Sequence, residues 1–328
     1  LFPNIYERKE IFMQEGWHYS LDDVEGELKI NGVVYNEMKG AFSSPEQQLF
    51  RLNLNSLFPD TPYGHESGGD PRFIPELSYE EFLEFHKTYY HPSNSYIYLY
   101  GDMDFEERLS WLDGEYLSKF DYLEVESEIP LQEGFNKLKE VVDYYPLGED
   151  ENPKENTYLS LNYAINEART KNQSIAFDVI VYVLFGAPGA PIKQALINAG
   201  IGKDILSQFS NDYLQPMMSI VAKSSDEEKK EEFLSIINNM LAKISEEGLN
   251  EKSLLGAINI IEFHYREADF GSYPKGLIYG LRVLSSWLYD EVKLFEYLKD
   301  SIIYEELKKK ISTGYFEQLI KDHLLNNT

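Results

Sequence analysis

Gly32-Val33-Val34-Tyr35-Asn36-Glu37-Met38-Lys39-Gly40-Ala41-Phe42 sets one carboxylate inside an apolar run, and its reading decides the fold. On a helix, Val34, Met38 and Phe42 recur every four residues. Glu37 falls one turn after Val33 and one turn before Ala41, on or beside that apolar face. A buried Glu needs a partner, because removing its charge from water costs several kcal/mol unless an ion pair or a metal compensates. Gly40 costs a helix roughly 1 kcal/mol relative to Ala, so its presence predicts that something approaches the backbone closely there. Helix, acid and gap together point to a metal site. The alternative open to the residues alone is a surface salt bridge.

Outward from this run, further motifs stand in a fixed order over residues 15 to 94. They are Glu15-Gly16-Trp17, then Asn31 through Ala41, then Ser67-Gly68-Gly69-Asp70-Pro71 with Ile74-Pro75-Glu76-Leu77, and finally Tyr90-His91-Pro92-Ser93-Asn94. This set resembles the presequence-protease branch of the pitrilysin/insulinase (M16) zinc metallopeptidases, and a weaker likeness continues to the end of the chain. The resemblance implies an α+β fold of two insulinase-like (LuxS/MPP-like) domains, helices packed on mostly antiparallel sheets, with the first domain incomplete. It also implies hydrolysis of peptide bonds by a zinc-bound water inside a closed chamber. In that family two histidines of an inverted H-x-x-E-H motif and a Glu on a later helix hold the metal, and Glu37 matches that Glu. A further Glu of the histidine motif takes the water's proton.

The H-x-x-E-H motif is absent. The six histidines are His18, His65, His86, His91, His264 and His323, and no pair is separated by three residues. His86 and His91 come nearest, but their spacing puts them off a common helical face, whereas the motif needs an i, i+4 pair. In the family the motif lies upstream of the Glu-bearing helix, and this chain opens on Leu1. The expectation is therefore a fragment of a longer enzyme that supplies the third zinc ligand, contains no catalytic residue, and is inactive and largely metal-free alone. Its expected partners are peptide substrates, the missing N-terminal segment and the C-terminal half of the same protein.

Composition narrows the function classes. The 328 residues suit about two domains of roughly 150 each. The net charge of −26 disfavours nucleic acid or an anionic membrane as partner, because both demand clustered Lys and Arg. Basic peptides would be drawn in, although an acidic surface also serves simply to keep a protein soluble. With no Cys there is no disulfide and no thiolate nucleophile. No apolar run is read as approaching the roughly 18 residues of a membrane span. The absence of Cys and the acidity lead to an expected bacterial cytoplasmic location.

The pass along the chain gives three segments: residues 1–120 as the C-terminal part of a first peptidase domain, a Pro-punctuated linker over 121–155, and a second insulinase-like domain over 156–328. Ser78-Tyr79-Glu80-Glu81 reads as a capping box opening a helix that His91-Pro92 closes. Ser95 to Tyr100 reads as a strand and Phe105 to Phe120 as a helix. In the second domain, a strand at Thr157–Ala164 precedes a buried helix through Ile175, Phe177, Val179, Ile180, Val183 and Leu184. Another helix spans Ile192–Ala199, and strands cover Asp204–Ser210 and Met217–Ala222. Ser225-Asp226-Glu227-Glu228 reads as a second capping box, and the chain is helical from Asn250 with breaks near Gly271, Pro274 and Gly314.

Other candidates carry a second reading beside the functional one. Glu15 is a candidate for orienting metal ligands by hydrogen bonding. Gly68, Gly69 and Asp70 form a candidate substrate-side loop, although Gly and Asp before Pro are also what a turn requires. Ile30 occupies the position seven residues before Glu37 where distant members of the superfamily carry an extra acid. His86 and His91 read as helix-face and helix-end residues, and Arg266 and Glu267 as either a substrate contact across a chamber or a solvated face. Gly186-Ala187-Pro188-Gly189 lacks the Lys-Ser/Thr ending of a phosphate loop. The competing function is a non-catalytic scaffold or peptide-binding relative of the same superfamily.

Overall fold

In the computed structural model of the chain, the description leaves out residues 1–2, 150–151, 166–169, 269, 296–297, 299–300 and 328, and the side chains at 293 and 301. Helix α1 (Lys9–Glu15) ends where the Gly16 N–H bonds back to the Phe12 carbonyl at 2.8 Å. Strands β1 (His18–Ser20) and β2 (Lys29–Asn31) pair antiparallel, with Tyr19 opposite Ile30. Helix α2 (Val33–Ala41) follows directly, and α3 (Pro45–Leu57) starts with Ser44 as cap and Pro45 in its first turn, where no N–H is needed.

Helix α4 (Tyr79–Tyr89) opens on the expected capping box. The Ser78 hydroxyl accepts from the Glu81 N–H at 3.1 Å, and the Glu81 carboxylate accepts from the Ser78 N–H at 2.9 Å. Helix α5 (Phe105–Glu115) is shorter than the expected span to Phe120, giving way to a 3₁₀ turn over Leu117–Lys119. Ser95–Tyr100 is not a strand: no ladder pairs with it among the described residues. A strand needs a neighbour for its backbone groups, and the local pattern shows only that these residues suit one.

The chain separates into two compact units, Leu1–Pro130 and Leu131–Thr328. The break lies inside the 121–155 stretch, but part of that stretch is held by the second unit. Gln215 grips Gln132 from both sides, accepting from its N–H at 2.6 Å and donating to its carbonyl at 3.1 Å, and Lys230 pairs with Glu140 at 2.8 Å.

The second unit is an α+β sandwich. Strands β3 (Thr157–Ala164), β4 (Asp204–Ser210) and β5 (Met217–Ser225) form an antiparallel sheet in the order β3-β5-β4. Leu159, Leu161 and Tyr163 alternate inward on β3, and the central strand buries every residue from Met217 to Ala222. Helix α6 (Lys171–Val181), continued by a π turn over Tyr182–Gly186, packs against β4, while α7 (Pro191–Asn198) packs against β4 and α8 (Lys230–Glu247). Helices α9 (Glu251–Glu267), α10 (Lys275–Trp287), α11 (Ser301–Lys310) and α12 (Tyr315–Ile320) complete the unit. One core runs through it, with Phe177, Leu184, Phe233, Ile237, Leu241, Leu254, Leu307 and Phe316 all nearly inaccessible to solvent.

Two further expectations change. Ser225 does not cap α8; it is the buried last residue of β5, and its hydroxyl donates to the Ile201 carbonyl, so the helix starts after a 3₁₀ turn over Glu227–Lys229. The helical path Lys171–Asn198 is long and apolar enough, by length and composition, to cross a membrane, contrary to the sequence reading. It is a core element here, broken at Ala187–Ala190 between the π turn and α7.

Candidate metal centre

The helix bearing Glu37 is fixed by its neighbours in sequence order. Gly32 adopts φ +151°, and a Cβ there would stand 2.2 Å from the Gly16 carbonyl oxygen, so only glycine lets the end of α1 meet the start of α2. The Tyr35 N–H donates to that same Gly16 carbonyl at 3.3 Å. Asn31 completes the junction, its Oδ1 accepting from the Gly32 N–H at 2.9 Å and from Asn36 Nδ2 at 2.5 Å. The motifs Glu15-Gly16-Trp17 and Asn31-Gly32 are therefore two halves of one backbone contact.

On the other side of α2, Met38 is buried against Gly68, where a Cβ would lie 2.4 Å from the Met38 sulfur. The Ser67–Pro71 loop is a turn in the structure. Gly69 has φ +87°, and Asp70 receives the Arg72 backbone N–H at 2.8 Å and its guanidinium at 2.6 Å. The Arg72 side-chain hydrogen bond holds Asp70 below the usual carboxylate range. Glu66 pairs with Arg51 at 2.5 Å, and Arg51 lies over the Phe42 ring at 4.3 Å. The loop thus reaches α2 through Gly68 and α3 through Glu66.

Val33, Glu37 and Gly40 form the opposite face, at i, i+4 and i+7. All three are exposed. This corrects the expected burial of Glu37, and nothing lies within 4 Å of a Cβ built on Gly40, so no close backbone approach explains that glycine among the described residues. The Glu37 carboxylate makes no hydrogen bond or ion pair with any described residue. Three histidines of the first unit have their own ring-nitrogen partners. His18 Nδ1 lies 2.7 Å from the Met13 carbonyl, His86 Nδ1 lies 2.8 Å from the Tyr6 hydroxyl, and His91 Nδ1 accepts from the Ser93 N–H. Glu15 is exposed and accepts only from its neighbour Gln14 at 3.2 Å. Among the described residues no three His, Cys, Asp or Glu side chains gather at metal-binding distance. As a donor set the region therefore offers one free carboxylate oxygen pair on a helix, which fits one position of a tetrahedral zinc site and leaves the imidazole positions to other residues.

Comparison with known proteins decides the family. The family described as "Peptidase M16 inactive domain" matches residues 76–261, more than half of the chain. The chain belongs to the M16 peptidase family. It is 47% identical over 330 residues to "Protein HypA" of Clostridium perfringens, covering all of this chain and 34% of that protein. It is 37% identical over 335 residues to "Presequence protease 1, chloroplastic/mitochondrial" of Arabidopsis thaliana, covering all of this chain and 31% of that protein. The chain thus spans about a third of the length of the curated relatives it matches. Among solved structures, a protease from Helicobacter pylori superimposes with TM-score 0.60 at 15% identity, over 89% of this chain and 67% of that one. A peptidase M16 inactive domain from Pseudomonas fluorescens gives TM-score 0.60 at 18% identity, over 89% and 66%. These structures share the fold, and the M16 resemblance read from residues 15 to 94 leads to the same family.

One acid escaped the sequence reading. Asp178 interrupts the apolar helix Ile175, Phe177, Val179, Ile180, the same signal that drew attention to Glu37. It lines a hollow in the second unit, and burial together with the nearby Asp212 carboxylate pushes it up to about 7.

Proposed function

We propose that this chain is part of a zinc-dependent endopeptidase of the M16 family and contributes Glu37 as one carboxylate ligand. The observation that carries the reading is the free Glu37 carboxylate on the open Val33–Glu37–Gly40 face, in a chain whose relatives include a presequence protease. The two imidazoles and the proton-accepting Glu of an H-x-x-E-H helix come from residues outside these 328, and that helix lies against the open face of α2. Zinc, when bound, polarises the scissile carbonyl and lowers the pKa of its water to about 7. The chain's own residues position the ligand: the Gly16–Gly32 contact fixes where α2 begins, and Met38 on Gly68 fixes its rotation. The Gly68–Asp70 turn borders the substrate path.

Substrates are peptides, enclosed in a chamber completed by the N-terminal segment and the C-terminal half of the same protein, and the net charge of −26 favours basic ones. A second reading, a non-catalytic relative, draws on the description of the matching family as an inactive domain over residues 76–261; Glu37 lies outside that span.

The test compares this chain alone with the same chain extended upstream and downstream along its reading frame, using a basic peptide of about 20 residues, long enough to span a chamber at up to roughly 3.3 Å per residue. Cleavage by the extended protein only, lost in Glu37→Gln, supports the peptidase. An upstream segment without H-x-x-E-H, and no cleavage, supports the scaffold and overturns the proposal.

A further inference from the structure

Asp178 lies on α6, in the unit that does not contain Glu37. With Val181 and Tyr182 from the same helical path, Ser207 and Phe209 of β4 and Ile261 of α9, it lines an open hollow of about 360 Å³. Part of Asp178 meets solvent at the mouth, while protein surrounds the rest. Its carboxylate takes part in no hydrogen bond or ion pair with any described residue. The charged and titratable groups on the elements packed around it are already engaged or add negative charge. Asp212, in the β4–β5 connection, repels it, and Tyr304 of α11 faces it as a phenol held neutral by burial. Glu262 of α9 is held by Arg266 at 2.5 Å and by Lys308 at 2.7 Å. Arg282 of α10 lies over the rings of Tyr265 and Phe270 at 4.6 and 5.0 Å and hydrogen-bonds Tyr265, although its buried Nη1 has no hydrogen-bond partner among the described residues, and Lys171 lies over Tyr265 at 5.8 Å.

A desolvated carboxylate at an apolar-walled hollow selects its ligand by exclusion. An anion is repelled by Asp178 and Asp212. A neutral apolar molecule leaves the carboxylate desolvated and unpaired, the costly arrangement, and a neutral donor leaves its charge uncompensated. A metal ion needs several ligands, and no three ligating side chains gather among the described residues. A cation on an aliphatic stem meets every requirement, because Val181, Tyr182, Phe209 and Ile261 offer apolar surface to its methylenes, and the carboxylate receives the charge. We propose that this hollow binds an alkylammonium or alkylguanidinium group, the side chain of a lysine or arginine in a peptide or a small free amine. The inference does not depend on the peptidase reading, since binding is measured on this chain without zinc or turnover.

The probes are capped lysine, capped arginine, butylamine and, as the uncharged control, capped norleucine, titrated calorimetrically into the chain. At about pH 8.5, where Asp178 is ionised and the amines stay charged, the cationic probes bind and norleucine binds at least about tenfold more weakly. Lowering the pH to about 5.5 protonates Asp178 and weakens the cations by about tenfold or more without changing their own charge. Asp178→Asn abolishes that pH dependence and the preference for cations. Ser207→Lys, which tethers an ammonium inside the hollow, blocks the probes while keeping Asp178 and guards against a misfolded Asn variant. Tighter binding of capped lysine than of butylamine supports a peptide side chain as the source, and the reverse supports a free amine. Equal binding by wild type and a folded Asp178→Asn, norleucine matching lysine, or no binding of any cationic probe would overturn the proposal.

Discussion

Helices α2 and α6 each carry one acid among apolar residues, yet Glu37 stands in solvent and Asp178 is largely enclosed. The helical pattern is similar; the surroundings differ. Around α6 the second unit provides β4, α9 and α11, and a core that reaches from β3 to α12. Around α2 the first unit provides Met38 on Gly68 and a short hairpin, and its buried apolar side chains reduce to Ile5, Phe12, Met38, Leu57 and Phe58 among the described residues. Val33 is 51% exposed and Leu109 56%, while Tyr122 is almost fully so. An apolar stripe is buried only when another layer exists to cover it. The difference teaches that an acid in such a stripe marks an interface, and that whether the interface is filled depends on the rest of the fold.

The comparison can be broken most decisively in the cores. Leu241→Ala removes a fully buried side chain from α8 and is expected to cost about 2–5 kcal/mol, whereas Val33→Ala on the open face of α2 should stay within about 0.5 kcal/mol. Urea unfolding of both variants checks this, and equal losses would remove the contrast between the units. A smaller effect sharpens the contrast between the two acids. Because the folded pKa of Asp178 is raised from 3.8 to about 7, the folded state holds a proton that the unfolded state has released between those values. The stability tied to that proton is fully present below about pH 4 and is lost as pH rises through about 7. Asp178→Asn, which has no charge to lose, should therefore be more stable than wild type by about 4 kcal/mol at pH 8 and converge with it near pH 4. A pH-independent difference would show that Asp178 is not desolvated.

Much of this architecture is legible in the residues because its causes are local. Ser78 and Glu81 close a capping box within four residues, Gly200, Gly248 and Gly314 stop helices through their own positive φ, and the alternation of Leu159, Leu161 and Tyr163 needs no knowledge of the partner strand. The misreadings concern partners distant in sequence. Ser225 has the cap motif, but its hydroxyl is taken by Ile201 across the sheet. Ser95–Tyr100 has strand chemistry without a neighbouring strand among the described residues. At the candidate site, Glu37 was legible as an unusual acid, and its exposure was not, since exposure depends on what packs against the Val33–Gly40 face. Asp178 follows the same rule, an acid in an apolar helix, and its enclosure depends on β4 and α9, which lie far from it in sequence.

Glu37→Gln should leave the stability of this chain unchanged within about 0.5 kcal/mol, since the side chain is exposed and unpaired. Its effect belongs to the metal, and zinc titration tests that most directly. Zinc should bind the chain alone weakly and without fixed stoichiometry, bind tightly at one per molecule when an upstream H-x-x-E-H segment is present, and be lost in Glu37→Gln. Tight zinc retained by Glu37→Gln in the extended protein, or a tight single site in the isolated chain, would contradict this.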